Sequence, residues 1–287
     1  MSLIAPEKIR ITYTSLAADM QAAHQYFDEA LAKGRAEAGR EHPLYIDHKP
    51  VKSSEPPMPD ASPIDSSFIL GRFAAATPAL VDQAIRSAAA QKIAWRRTPW
   101  TERGALLRKA AALMRRRKFE RAAVMSLEVG KSRLEALGDA EESADLIDYY
   151  CEQMEKAAGF ITAMNKITPI ETNTDVLRPY GVFVCIAPFN FPLALSTGMS
   201  SAALVAGNTV VYKPAQDTPW TGLKLYEIYR DAGIPAGVIN FVTGKGSVIG
   251  DPLWQHPMTD GIVFTGSKEV GLHMYAQFSK KWVKPCL

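Results

Sequence analysis

Between residues 181 and 267 one unit repeats: a short β-branched run, a turn, then a helical segment. The runs are "GVFVCIAP" (181–188), "GNTVVYKP" (207–214), "GVINFVTG" (237–244) and "DGIVFTGS" (260–267). Apolar spacing predicts helices between and after them, at about 193–206, 219–232, 247–254 and 268–279. None of the runs alternates apolar with polar residues. Both faces of each strand must therefore be covered, as in parallel strands lying between helices. A βαβαβαβ order of this kind predicts an α/β fold with a doubly wound, Rossmann-like parallel sheet. Ligands of such sheets lie beyond the carboxyl ends of the strands.

The chain upstream is mostly helical. Leu16, Met20, Ala23, Phe27 and Leu31 recur at helical spacing within residues 1–40, and Gly34 and Gly39 are expected to end that helix. "HPLYIDHKPVK" (42–52) reads as a strand pair or extended arm, "SSEPPMPDASP" (53–63) as a proline-rich loop, and "SFILGRFAAA" (67–76) as a strand. Thr77-Pro78 is a helix-start signal, an N-cap followed by proline at the first helical position. Helices are expected over 78–95 and 102–116, over "FERAAVMSLEVGK", and over 132–160. In the last of these Leu137, Ala144, Ile147 and Tyr150 form an apolar stripe. The chain divides into an N-terminal helix and arm (1–63), a helical block (64–160), an extended segment (161–179) and the sheet-forming core (180–287).

Charge and composition exclude several classes. Net charge is +3, and the one basic run, "RRRK" at 115–118, falls within helical spacing and reads as a solvated helix face. A nucleic-acid surface would need a wider basic patch. Cys151, Cys185 and Cys286 are widely spaced and odd in number, which indicates a reducing compartment. The five histidines lack ligand spacing, so no metal is expected. The N-terminus lacks a signal-peptide pattern, and Pro188, Asn190 and Pro192 break the longest apolar stretch, so no membrane span is expected. A soluble, cytoplasmic protein is the expectation.

Each of the four strands ends in groups that can hold a ligand. The first delivers Asn190, set between Phe189 and Phe191. The second delivers Lys213 and Gln216. The third delivers Gly244, Gly246 and Gly250, and the fourth Thr265, Gly266 and Ser267. Two glycine-bearing turns at helix N-termini can present backbone N–H groups to phosphate. Neither matches a dinucleotide fingerprint or a P-loop. The first reads G-x-G-x-x-x-G, and in the second Ser267 stands where a P-loop has lysine. Each turn taken singly also fits plain turn chemistry; it is their coincidence at four strand ends that points to a binding site.

"APFNFP", "GNTVVYKPAQDTPW", "AGIPAGVINFVTGKGSVIG" and "DGIVFTGSKEVG", in that order, resemble the aldehyde dehydrogenase superfamily. The upstream blocks "WRRTPWTERGALLRKAAALMRRRKFERAAVMSLEVGK" and "EESADLIDYYCEQM" resemble its 1-pyrroline-5-carboxylate dehydrogenase branch, which oxidises glutamate γ-semialdehyde in proline catabolism. The similarity runs from about residue 40 to the end. It implies an enzyme using NAD, with NADP also permitted, on a small aldehyde. Asn190 then matches the amide that donates to the substrate oxygen as it becomes an oxyanion, with Phe189 replacing a tryptophan common there. Ile186, Ala187, Pro188 and Phe189 line the cofactor. Lys213 matches the lysine on the adenosine ribose, and Gly246, Gly250 and Val270 match positions near the adenine. Thr265, Gly266 and Ser267 lie by the pyrophosphate. Gln216 stands where many members have a glutamate that accepts from the ribose 2′-OH. A neutral glutamine would not repel a 2′-phosphate.

The family's chemistry further needs a cysteine nucleophile in a G-Q-x-C stretch and a water-activating glutamate in an E-x-G-G-K stretch. Neither stretch occurs in these 287 residues. Cys286 matches a non-catalytic position, and Cys185 reads as an inert core residue. The resemblance therefore implies the N-terminal half of such an enzyme, inactive alone, with an apolar face exposed and the 161–179 segment an oligomerisation hairpin. Two other readings stay open: a non-catalytic dinucleotide-binding module, and a different reaction on the same scaffold, such as an acylating dehydrogenase or a glutamyl-phosphate reductase.

Overall fold

A computed structural model describes residues 5–15, 21–280 and 284–287. In chain order the elements are α1 (Gln21–Glu37), β1 (Arg40–His42), β2 (Leu44–Ile46), β3 (Lys49–Val51), β4 (Met58–Ala61), β5 (Ile69–Phe73), α2 (Pro78–Arg97), α3 (Trp100–Arg116), α4 (Lys118–Val129) and α5 (Arg133–Lys156). There follow β6 (Ile161–Ala163), β7 (Thr174–Val176), β8 (Val182–Ile186), α6 (Ala194–Val205), β9 (Thr209–Lys213), α7 (Pro219–Ala232), β10 (Ile239–Phe241), α8 (Gly246–Gln255), β11 (Gly261–Phe264) and α9 (Lys268–Phe278).

The four predicted runs are β8 to β11. They pair in parallel in the order β11-β8-β9-β10, and β2 and β3 extend the sheet antiparallel through the Phe241–Tyr45 pair. Both faces are covered, as expected of runs without alternation. Val182, Val184 and Val211 pack with Val81, Ala84, Ile85 and Ala88 of α2 on one face. Phe183, Cys185, Val210 and Tyr212 point to the other, toward Leu204 of α6 and Tyr226 and Tyr229 of α7. Helices α3, α4 and α5 pack outside α6 and α7 as a further layer.

Local signals explain the boundaries. Thr77 caps α2, its side chain accepting from the amide of Leu80. Ser132 and Glu135 form a reciprocal capping box at the start of α5. Gly130 ends α4 in the left-handed conformation.

Three expectations need correction. Gly34 lies inside α1, which runs on to Glu37; Gly39 (φ 81) makes the turn. Leu16 and Met20 lie outside the described residues. The proline-rich stretch 53–63 contains β4, an edge strand of the sheet β1-β5-β4. Pro59 is tolerated there because an edge strand has one side without ladder partners. The "RRRK" run is not a solvated face. Arg115 pairs with Asp145 and Asp148, Arg117 with Asp231, and Lys118 is buried against Glu141; only Arg116 is exposed. The run straddles the junction of α3 and α4, where its charges meet acids of α5 and α7.

Among the described residues no helix is long and apolar enough to cross a membrane.

Candidate functional site

Parallel pairing brings four strand ends to one edge of the sheet. Phe264 stands opposite Ile186, and Ile186 opposite Lys213. The ladder continues past the strands, Thr265 N donating to Ile186 O at 3.1 Å and Ala187 N to Lys213 O at 3.1 Å. Val242 N donates to Tyr212 O at 3.0 Å, which sets the loop after β10 beside the end of β9. Every segment singled out by sequence, 186–190, 213–216, 244–250 and 265–267, leaves the sheet at this edge.

Lys213 is buried at the end of β9. Among the described residues its Nζ donates one hydrogen bond, 3.1 Å, to Pro214 O. An ammonium carries three donors. Burial pulls its pKa down to about 8, opposed by the charge of Asp217. A buried ammonium with one neutral acceptor is costly unless something else meets it. Gln216 is exposed in the following loop. Beyond β10, Gly244 is buried against Ile249, whereas Gly246 opens α8 and has open space where a Cβ would stand; the same is true of Gly250. Ser267 caps α9, accepting from Val270 N at 3.4 Å, and Val270 is exposed. Thr265 Oγ1 contacts Met199 Sδ at 3.4 Å. Ala187 and Pro188 are buried, Ile186 half-buried and Gly266 exposed.

Around Asn190 the two flanking rings do not enclose the amide. Phe189 is 58% and Phe191 38% exposed, and Asn190 is exposed, its amide making no hydrogen bond to another described residue. Pro188 before it and Pro192, Leu193 and Ala194 after it are buried, so the chain on either side is held against the core and forms a floor beneath the exposed amide. That floor is built from residues the sequence did not flag. Asp139 of α5 accepts from Ala194 N at 2.7 Å and from Lys131 Nζ at 2.6 Å. Lys131 lies 3.9 Å from the centroid of Phe191, and Tyr13 meets the same ring edge-on at 6.4 Å. Desolvation raises the Asp139 pKa while Lys131 opposes it. One signal was available: Asp139 is a charged residue on the apolar stripe of α5, beside Leu137 and Ala140.

Cys185 is fully buried, and burial pushes its thiol far up; burial also raises Cys151, to about 11. Neither has the character of a nucleophile. Among the described residues no cluster of three or more His, Cys, Asp or Glu could hold a metal.

The aldehyde dehydrogenase family profile matches residues 51–287. The chain belongs to the aldehyde dehydrogenase family. It is 41% identical over 261 residues to the 1-pyrroline-5-carboxylate dehydrogenase of Geobacillus thermodenitrificans, covering 91% of this chain and 50% of that one. A variant of the Thermus thermophilus 1-pyrroline-5-carboxylate dehydrogenase superposes with a TM-score of 0.84 at 41% identity, over 89% of this chain and 49% of that one. The Thermus enzyme with bound NAD gives 0.85 at 40% identity, over the same shares. Proline utilization A of Bdellovibrio bacteriovorus gives 0.89 at 34% identity, over 98% of this chain and 30% of that one. The chain spans about half the length of the curated relatives it matches. Both the α/β architecture and the similarity to 1-pyrroline-5-carboxylate dehydrogenases agree with the sequence reading.

Proposed function

We propose that this aldehyde dehydrogenase chain binds NAD at the strand ends and serves the oxidation of L-glutamate γ-semialdehyde to glutamate. The observation that carries the reading is Lys213, a buried ammonium with one neutral acceptor at the carboxyl edge of a parallel sheet. Ribose hydroxyls would supply the acceptors it lacks. Gln216 would meet the same ribose, and its neutral amide permits a 2′-phosphate, so NADP is not excluded. Gly246 and Gly250 leave room for the adenine end, with Val270 exposed in the first turn of α9, and the 265–267 turn would offer backbone N–H groups to the pyrophosphate. Ile186, Ala187, Pro188 and Phe189 would line the remainder. The open space at the two glycines and the unmatched Lys213 donors fit such a group. Bound nicotinamide would supply the two-electron acceptor.

Asn190 would donate to a developing oxyanion, a contribution typically worth about 3 kcal/mol. The nucleophile and the water-activating carboxylate are not assigned within this chain, so we expect no turnover from it alone. The 1-pyrroline-5-carboxylate dehydrogenase relatives support the substrate; the β6–β7 hairpin supports homo-oligomerisation, and the three free cysteines support a cytoplasmic setting. Calorimetric titration of the chain with NAD and NADP tests the cofactor reading. Binding that Lys213→Met weakens at least about tenfold supports it, and no heat of binding from a folded chain overturns it. For an aldehyde-oxidising form containing this chain, equal rates on glutamate γ-semialdehyde and simple aliphatic aldehydes would remove the substrate.

A further inference from the structure

The N-terminus of α7 is not held by its own cap residue. Thr218 stands at the N-cap, yet its Oγ1 is buried without a hydrogen-bond partner among the described residues. Glu128, at the far end of α4, takes over. Trp220 N donates to Glu128 Oε1 at 2.6 Å, Thr221 N to Oε2 at 2.9 Å, and Thr221 Oγ1 to the same Oε2. A carboxylate is favoured at this positive end of a helix.

A second acid lies against the first. Asp60 of β4 is buried and hydrogen-bonded to Glu128, and no N–H or O–H of another described residue reaches its Oδ2. Ser62 Oγ donates to Leu127 O at 2.7 Å and fixes the end of β4 beside the last turn of α4. Two buried carboxyls in contact cannot both be charged, so one proton sits between them. Burial raises both acids, and the charge of Glu128 raises Asp60 further, whereas the Thr221 and Trp220 donors pull Glu128 down. Asp60 is thus the neutral donor and Glu128 the ionised cap. The other titratable groups acting on the pair are Asp217, from the loop before α7, and Tyr212 of β9; Lys213 faces Asp217 in turn.

We propose that Asp60 and Glu128 form a one-proton latch that holds the N-terminus of α7 and, through it, the loop that carries Gln216 and follows Lys213. The loop is short, Pro214 to Thr218. The first turn of α7 is packed hard on its start: a Cβ at Gly222 would stand 2.6 Å from Pro214 Cβ. A shift of the helix end is therefore passed to Pro214, whose carbonyl is the one hydrogen-bond partner of the Lys213 ammonium among the described residues. Both acids are positioning residues, since neither reaches the candidate cofactor groups. The consequence for cofactor binding rests on the reading of Lys213 and Gln216 given above; the latch itself does not.

The test uses the whole chain as wild type, Asp60→Asn and Glu128→Gln, with two readouts across alkaline pH: protection factors of the Trp220 and Thr221 amides, and calorimetric NAD affinity. In the wild type both should fall together, by about tenfold or more, as the shared proton is lost. Asp60→Asn, whose amide donates to Glu128 without titrating, should hold the amide protection level and keep only the part of the NAD loss that deprotonation of Lys213 causes in both chains. Glu128→Gln should lower the protection of those two amides by about tenfold at every pH, and weaken NAD with it, as expected for loss of a charged cap. Protection factors that change alike in wild type and Asp60→Asn overturn the latch, as does an NAD affinity indifferent to both substitutions while NAD still binds. Amides that respond as expected in a chain that binds no NAD support the latch and overturn the cofactor reading instead. If Glu128→Gln does not fold, the comparison of wild type with Asp60→Asn decides alone.

Discussion

Lys131 Nζ stands 3.9 Å above the ring of Phe191, next to Asn190, while it pairs with the buried Asp139 at 2.6 Å. The contact ties the Asn190 loop to α5, because Asp139 also takes the first free amide of α6. Lys131→Met would leave a buried carboxylate without its cation, a change that typically costs about 3 kcal/mol. The loss has a predicted pH dependence. Without Lys131 the folded-state pKa of Asp139 rises further above its unfolded value, so the folded chain holds a proton that the unfolded chain releases. The deficit should therefore grow as pH rises from about 4 toward neutrality. Urea melts of Lys131→Met at two pH values check this, and Lys131→Met/Asp139→Asn should recover most of the loss.

His42 and His48 give an opposite slope. Burial lowers the pKa of both, first by desolvation, then by Lys224 and Arg230 respectively, and neither Nε2 has a hydrogen-bond partner among the described residues. His42 stacks on Phe73 at 4.7 Å. Their folded-state pKa values lie below the unfolded value of about 6.5, so the unfolded chain binds protons first as pH falls. Stability should drop as pH goes below about 6.5, and the His42→Phe variant should show a shallower drop. Equal acid slopes for variant and wild type in denaturant titrations would rule this out.

Legibility in the sequence followed the range of the interaction. The four parallel strands and the Thr77 cap could be read because burial on both faces and an N-cap are local signals. The entry of β2 into the main sheet could not, since it depends on Tyr45 finding Phe241, nearly two hundred positions away. Strand β4 was hidden by Pro59, whose tolerance depends on being at an edge that only the assembled sheet defines. At the candidate site, Lys213 and Asn190 were visible as polar residues ending apolar runs. Glu128 and Asp60 were not, because on their own helix and strand they look like ordinary charges, and Glu128 finds Trp220 only 92 positions on; nor was Lys131, whose role depends on the ring of Phe191 coming within 3.9 Å of it.

The turn leaving α5 is a second long-range demand. Ala158, Gly159 and Phe160 all have positive φ (47, 71 and 58), and a Cβ at Gly159 would overlap the Trp100 indole. Gly159→Ala should cost about 1 kcal/mol for the backbone and about 1–3 kcal/mol more for the overlap. Adding Trp100→Ala should remove the overlap part and leave the backbone part. A double-mutant cycle on thermal or chemical melts separates the two, and a coupling energy near zero would mean that the indole does not press on this position.

Lys213 offers the sharpest separation of stability from binding. Its folded-state pKa of about 8 lies below the unfolded lysine value of about 10.4. Between those values the unfolded chain holds a proton that the folded chain has released, so stability should rise as pH increases through that window, by on the order of 3 kcal/mol in all. At neutral pH the native chain carries the buried charge at a cost. Lys213→Met removes that charge while keeping most of the apolar stem, so it should be at least as stable as wild type at pH 7 and lack the alkaline rise. If the unmatched donors serve ribose hydroxyls, the same variant should lose NAD affinity by about tenfold or more. A residue kept for packing would show the reverse, lower stability with unchanged binding, and paired melting and calorimetric titrations of the one variant distinguish the two outcomes.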